Sequence, residues 1–331
     1  MRPGQAKGPS VGPLPSGSMP IASISRYVRT SLTSRTSWRD CIYSPSLSRV
    51  FAVGGGSYAG PGLGRHIAKS VNGTAWDYTV FTPDLLGVCI GRNGRIVAVG
   101  ATGANGSAYS DDGVSWTPFT AGNDSVSIAY SPTLDIYIAV ADAGVNRVMS
   151  SADLITWTPI AIVSRVWRRV RWIPELNTFF IVANDATANA IASSIDGINF
   201  SLLTTPASFP ITDIVYINGV LVACAPNSTD LSILRSVDSG VTWNSVGTGS
   251  GSTWFAMASN SQMIVAIASN VSGTLYFWFQ FSSDDGETWT SMILPGGQAL
   301  YGVCSIPNIG FLAVAIGSSS PYAGRSFLLT P

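Results

Sequence analysis

Six short segments each place a carboxylate or carboxamide two residues after a serine and end on an aromatic ring. The clearest are Ser283-Asp284-Asp285-Gly286-Glu287-Thr288-Trp289 and Ser110-Asp111-Asp112-Gly113-Val114-Ser115-Trp116. Looser copies run from Ser70 to Trp76 with Asn72 in the acidic place, from Ser151 to Trp157 with Asp153, and from Ser194 to Phe200 with Asp196. Ser236, Asp238 and Trp243 frame a copy one residue longer. A carboxylate beside a hydroxyl can serve acid–base chemistry or ligate Ca2+, and either use needs several such groups in one place. The leading serines stand 40, 41, 43, 42 and 47 residues apart. Equal copies at a steady period describe equivalent turns rather than separate active sites. Each turn also offers too few oxygens for a dedicated Ca2+ site, so neither metal nor cofactor is expected.

The turns need strands to hold them. Around each lies a unit of about 42 residues containing four short apolar runs joined by turn residues, the pattern of an antiparallel meander. The first and second strands of successive units are legible at 86–100, 126–140, 170–183, 211–225, 254–269 and 301–316, after a first unit that begins at Cys41. The seventh unit stops after its third strand, whereas residues 21–30 alternate with period two and lack a partner of their own. Seven units, one strand short at the end and one spare at the start, predict an all-β fold. It is a seven-bladed β-propeller of four-stranded blades, closed by the N-terminal strand, with an extended arm over 1–20 and the propeller over 21–331.

The Ser–Asp–Gly–Trp segments resemble the Asp-box, or BNR repeat, Ser-x-Asp-x-Gly-x-Thr-Trp, of sialidase-like propellers. The resemblance covers six of the seven units and implies hairpin turns between third and fourth strands, on the outer edge of the blades. Ser and Asp are suited to bond the amides of their own turn, and Gly to supply a positive φ. Asn72, Leu154 and Phe200 depart from the pattern.

A sialidase-like activity would require an arginine cluster, a Tyr–Glu pair and an acidic Asp. The family's Arg-Ile-Pro signature is missing, and the chain has only two glutamates, Glu175 and Glu287, both in predicted turns. Glycoside hydrolysis needs two positioned carboxylates. Sixteen aspartates remain, which leaves an Asp-only mechanism open, and a Ser-His-Asp arrangement is open only at His66, the sole histidine. The chain is therefore expected not to be an enzyme, the alternative being a degenerate glycosidase.

Two regions suit binding. Residues 164–172 hold Arg165, Trp167, Arg168, Arg169, Arg171 and Trp172, read as an inner strand with Arg165 and Arg168 at its mouth. Such a patch fits an anionic glycan or an acidic protein surface. The loops between second and third strands contribute Tyr58, Arg65, His66, Arg147, Asn184 and Asp185, in Asn/Ser/Gly-rich surroundings.

Charged residues make up 11% of the chain against about 25% in an average one. Residues 1–39 carry Arg2, Lys7, Arg26, Arg29, Arg35 and Arg39 with no acidic residue, leaving 12 basic against 18 acidic residues beyond them. A basic arm on an acidic body reads as a docking element and argues against nucleic-acid binding. Neither a signal peptide nor a membrane-spanning run is expected. Cys41, Cys89, Cys224 and Cys304, without close spacing, are expected to be free core thiols. Low charge, a Pro/Gly arm and the repeated blades together resemble propellers of tailed-phage tail and fibre proteins. That resemblance implies a structural virion protein, made in the host cytoplasm and present in multiple copies. The arm would meet other tail proteins and the loops a host glycan or receptor. A cellular lectin or assembly-factor propeller is the remaining alternative.

Overall fold

The computed structural model describes residues 11–12, 26–31, 36–57, 66–81, 83–100, 105–206, 210–226, 232–247, 253–268, 276–295, 299–315 and 325–330. These form seven antiparallel sheets, six of them meanders of four consecutive strands and the seventh a five-stranded sheet that joins both ends of the chain. Blade 1, for example, runs Thr36–Ser44, Arg49–Ser57, His66–Ser70 and Asp77–Val80. Each first strand packs against the first strand of the next blade, and Leu300–Ile306 of blade 7 packs against Thr36–Ser44 of blade 1. The sheets thus close a ring around an axis lined by the seven first strands.

A blade in such a ring is covered on both faces by its neighbours, so its strands must be apolar on both faces. The second strands show this most clearly: Ile96–Gly100, Thr178–Ala183, Val220–Cys224 and Ile264–Ala268 are buried at every position. The four cysteines are buried free thiols, and burial pushes the Cys224 thiol up to about 12.

Ring closure follows the expected scheme with a shifted strand. Arg26–Ser31 pairs with Arg325–Thr330, supplying the outer strand that blade 7 lacks. Residues 21–25 of the anticipated strand lie outside the described residues. A two-residue strand at Val11–Gly12 then pairs with Tyr27 and Val28, so part of the arm borders the closing blade as a fifth strand. Of the arm's basic residues, Arg2, Lys7 and Arg35 lie outside the described residues, whereas the backbones of Arg26 and Arg29 pair with Thr330 and Phe327.

The six serine turns lie between third and fourth strands, at the end of the ring where first strands run into second strands. In blade 2, Ser110 Oγ donates to Asp112 and accepts the Gly113 amide at 2.8 Å. Asp112 in turn accepts the amides of Val114 and Ser115, both at 2.8 Å. Blades 3 and 4 repeat this with Ser151–Asp153 and Ser194–Asp196, and blade 1 with Ser70–Asn72. A Cβ on the turn glycines would stand 2.3–3.2 Å from a side chain of the preceding blade. Beyond its φ of +68°, Gly113 would bring a Cβ within 2.6 Å of Phe51 in the preceding blade. In blade 3, Leu154 adopts φ 65° instead and buries its side chain beside Cys89 and Val97 of blade 2.

The blade 6 turn corrects the sequence register. Ser282, not Ser283, accepts the Gly286 amide at 2.8 Å, and Asp284, not Asp285, accepts the Thr288 amide at 2.9 Å. Asp285 instead takes φ 55° and accepts a bond from Asn218. The turn is one residue longer than a heptad, as in Ser236-Val237-Asp238, where the acceptor for Thr242 is Asp238. An adjacent second serine and second aspartate made the shorter spacing look equally good.

Candidate functional site on the propeller axis

Each blade's first strand has a buried opening residue at or beside its start: Trp38, Leu85, Ser125, Trp167, Trp254 and Leu300, with Ile211 just ahead of Asp213–Ile217 in blade 5. Two residues later, Asp40, Gly87, Ser127, Arg169, Asp213, Ala256 and Gly302 occupy one shared level, each opposite the corresponding residue of its second strand. At this level the polar side chains tie one blade to the next. Asp40 Oδ2 accepts the Val88 amide at 3.2 Å, Ser127 Oγ the Val170 amide at 3.2 Å, and Asp213 Oδ2 the Met257 amide at 3.0 Å. The glycines let backbones touch: a Cβ on Gly302 would stand 2.7 Å from Asp40 Cα, and one on Gly87 2.8 Å from Ser127 Cα.

Two arginines cross this level. Arg169 Nη1 donates to Asp40 Oδ2 at 2.9 Å, and its Nε lies 3.6 Å from Asp213 Oδ2. Arg171 makes a fork to Asp213 at 3.0 and 2.7 Å and reaches the Met257 carbonyl at 3.3 Å. Blades 1, 4, 5 and 6 are thereby joined through two buried carboxylates and two guanidiniums, a locally neutral set. Burial alone would raise the Asp213 carboxyl, but Arg171 and Arg169 outweigh it and hold it below the usual carboxylate range. Asp213 is thus held as the charged partner of arginine and Asp40 is paired with Arg169 at 2.9 Å, an arrangement that suits bracing better than proton donation.

The network separates two mouths. At the end where first strands turn into second strands, a cavity of about 430 Å3 is lined by Ile42, Tyr43, Arg171, Tyr216, Met257 and Cys304, among others. At the end where first strands begin, a single-residue bulge follows the opening residue in six blades. Bulges re-aim side chains. The six bulged residues are Arg39, Leu86, Val126, Arg168, Phe255 and Tyr301; blade 5 has none. Their contacts converge across blades. The Arg39 guanidinium stands 5.0 Å from the Tyr301 ring centre, and Phe255 packs on Tyr301 at 4.7 Å. Burial, together with Arg169, holds the Arg168 guanidinium below its usual value, and Arg168 also senses Tyr301, Arg39 and Asp142. Blade 4 does not adjoin blades 1 and 7, so the space shared by Arg168, Arg39 and Tyr301 is the axis.

The basic stretch of residues 164–172 is thus divided among several duties. Arg165 pairs with Asp185 at 3.1 Å and donates to the Ala188 carbonyl. Arg147 donates to the carbonyls of Arg165 and Gly144, and the Asn184 amide to that of Val166. Arg147, Arg165, Asn184 and Asp185 therefore form a joint between blades 3 and 4, with their strongest donors and acceptors engaged internally. Trp167 is fully buried in the core, with no face open to a ligand. Arg168 reaches the axial mouth, and Arg169 and Arg171 the central network. His66 opens the third strand of blade 1, paired through its backbone with Val80. Tyr58 and Arg65 lie outside the described residues. Asp40, Asp213, Arg39, Phe255 and Tyr301 were not singled out as site residues from the sequence. Aligning the seven first strands on their opening residue would have brought them to two adjacent positions.

No protein-family profile matches the chain, and no curated protein matches it either. Solved structures do resemble it in fold. A catalytically inactive virginiamycin B lyase from Staphylococcus aureus with quinupristin aligns with a TM-score of 0.71 at 12% identity, covering 92% of this chain and 99% of that one. YCF48 bound to D1 peptide gives 0.67 at 12% identity, covering 92% and 95%. A GH74 enzyme from Niastella koreensis gives 0.54 at 13% identity, covering 89% and 68%. These likenesses establish the propeller fold, which serves both binding proteins and enzymes.

Proposed function

We propose that the protein is a non-enzymatic interaction propeller of a bacteriophage virion, in its tail, fibre or adsorption apparatus. The observation that carries the non-enzymatic part is the capture of Asp40 and Asp213 by Arg169 and Arg171. A glycosidase requires one carboxyl kept protonated and another free to attack or activate water. Here the axial carboxylates are buried, paired and committed to backbone amides of neighbouring blades. The serine turns, read as Asp-boxes, use their aspartates in the same structural way.

Its surface suits an assembly component. Charged residues are sparse, and exposed aliphatic side chains gather on the serine turns: Val71, Val114, Ile155, Ile195, Ile198, Val237 and Val241. These residues are 59–81% exposed and offer apolar contact area to a neighbouring subunit. The basic arm adds a second means of attachment.

The reading is tested by assembling the source phage's particles with the full chain or with residues 1–20 deleted. The full chain should co-sediment with particles, and the deleted chain should remain folded but unincorporated. Recovery of the full chain only in the unassembled fraction would overturn it.

A further inference from the structure

We propose that the bulge-lined mouth of the axis is a binding site for a carboxylate borne on a partner protein, either an acidic side chain or a chain end, held between Arg39 and Arg168. The inference rests on the interaction-propeller reading and specifies where and what such a propeller binds.

Among the described residues, neither guanidinium has a carboxylate partner within ion-pair distance, whereas the other two axial arginines, Arg169 and Arg171, are paired. Arg39 Nε is buried without a hydrogen-bond acceptor. Asp142 lies within electrostatic range of Arg168 but forms no ion pair with it. Two guanidiniums brought within range of each other at a partly buried mouth repel, and an anion between them relieves that repulsion while forming charge-assisted bonds. Beneath them, Arg169 belongs to a network already neutralised by Asp40 and Asp213.

The remaining ring decides the kind of anion. Leu86, Val126 and Phe255 are apolar, and Thr212 in blade 5 already spends its hydroxyl on the carbonyls of Cys224 and Trp254. Apart from the guanidiniums and the Tyr301 hydroxyl, the ring has little with which to satisfy the hydroxyls of an acidic sugar, and leaving them unpaired is costly. A carboxylate on an aliphatic stem fits better, with the stem against Leu86 and the packed Phe255–Tyr301 pair.

The test is calorimetric titration of the full chain with the capped peptide acetyl-Leu-Leu-Glu-amide, its Gln counterpart and 3′-sialyllactose. The Glu peptide should bind saturably and weaken with added salt, and the Gln peptide should bind about tenfold more weakly or not at all. Arg168→Gln should reduce Glu-peptide affinity by about tenfold, and Arg168→Lys by less, with the fold of each verified by circular dichroism. Should Arg168→Gln fail to fold, Leu86→Glu, which places a fixed anion in the ring, should block the peptide. Equal binding of Glu and Gln peptides, no binding by the native chain, or preference for sialyllactose would overturn the proposal. None of these results bears on incorporation into particles, so the two readings fail separately.

Discussion

Arg169 of blade 4 donates to Asp40 of blade 1 at 2.9 Å, joining residues 129 apart in sequence and three blades apart in the ring. Through Asp213 the same guanidinium also touches blade 5. Propeller blades pack chiefly on their immediate neighbours, so this pair braces the ring across its diameter.

Removing Arg169 should therefore cost more than its own contacts. Arg169→Met leaves the Asp40 carboxylate, with a side chain 8% exposed, without its counter-charge, while Asp213 keeps Arg171. Breaking a buried pair on one side typically costs about 3–5 kcal/mol. We expect a loss of that order in chemical denaturation, with part of it recovered in the double variant Asp40→Asn/Arg169→Met. A double variant no more stable than Arg169→Met would show that the pair is not the source of the loss.

The blade 6 turn gives a sharper local test, because neighbouring serines have opposite fates. Ser282 is buried and accepts the Gly286 amide, while Ser283 is exposed. Ser282→Ala should cost about 1–3 kcal/mol by leaving that amide unpaired, whereas Ser283→Ala should stay within about 0.5 kcal/mol. Thermal denaturation of the two variants decides the register; the reverse order would restore the heptad.

The serine turns also set the response to acid. Amides of Val114 and Ser115 hold the Asp112 carboxyl down at about 2, and the Thr242 hydroxyl and amide do the same for Asp238. Asp153 and Asp284 are lowered in the same direction. A carboxyl depressed on folding contributes stability above its unfolded value near 3.9, and that contribution is lost as pH falls through the folded value. Stability should therefore hold from neutral pH to about 4 and decline between about 4 and 2. Denaturation midpoints at pH 5, 3 and 2 measure this, and Asp112→Asn together with Asp238→Asn should flatten the decline.

Much of this architecture is legible in the sequence, for reasons that particular residues make plain. The turn motif recurs because every blade must reverse its chain under the same constraints, so Ser110 and Asp112 announce a structure that Ser194 and Asp196 repeat. The missing outer strand of blade 7 is visible because the repeat itself breaks there. The axis is harder to read. Asp40 and Asp213 sit in strands whose neighbours are ordinary core residues, and their partner lies far along the chain. Strict alternation would put Arg168 on the opposite face from Trp167 and Arg169, whereas the bulge at Arg168 re-aims its side chain toward the axis. The blade 6 register was obscured by the doubled Ser282-Ser283 and Asp284-Asp285.

The central claim is that the axial carboxylates brace the ring rather than perform chemistry. The most direct measurement is release of reducing ends or free sialic acid from a panel of acidic and neutral glycans incubated with the full chain and with Asp213→Asn. The account predicts no release by the native chain. Turnover by the native chain that disappears in Asp213→Asn, with the variant still folded, would contradict it.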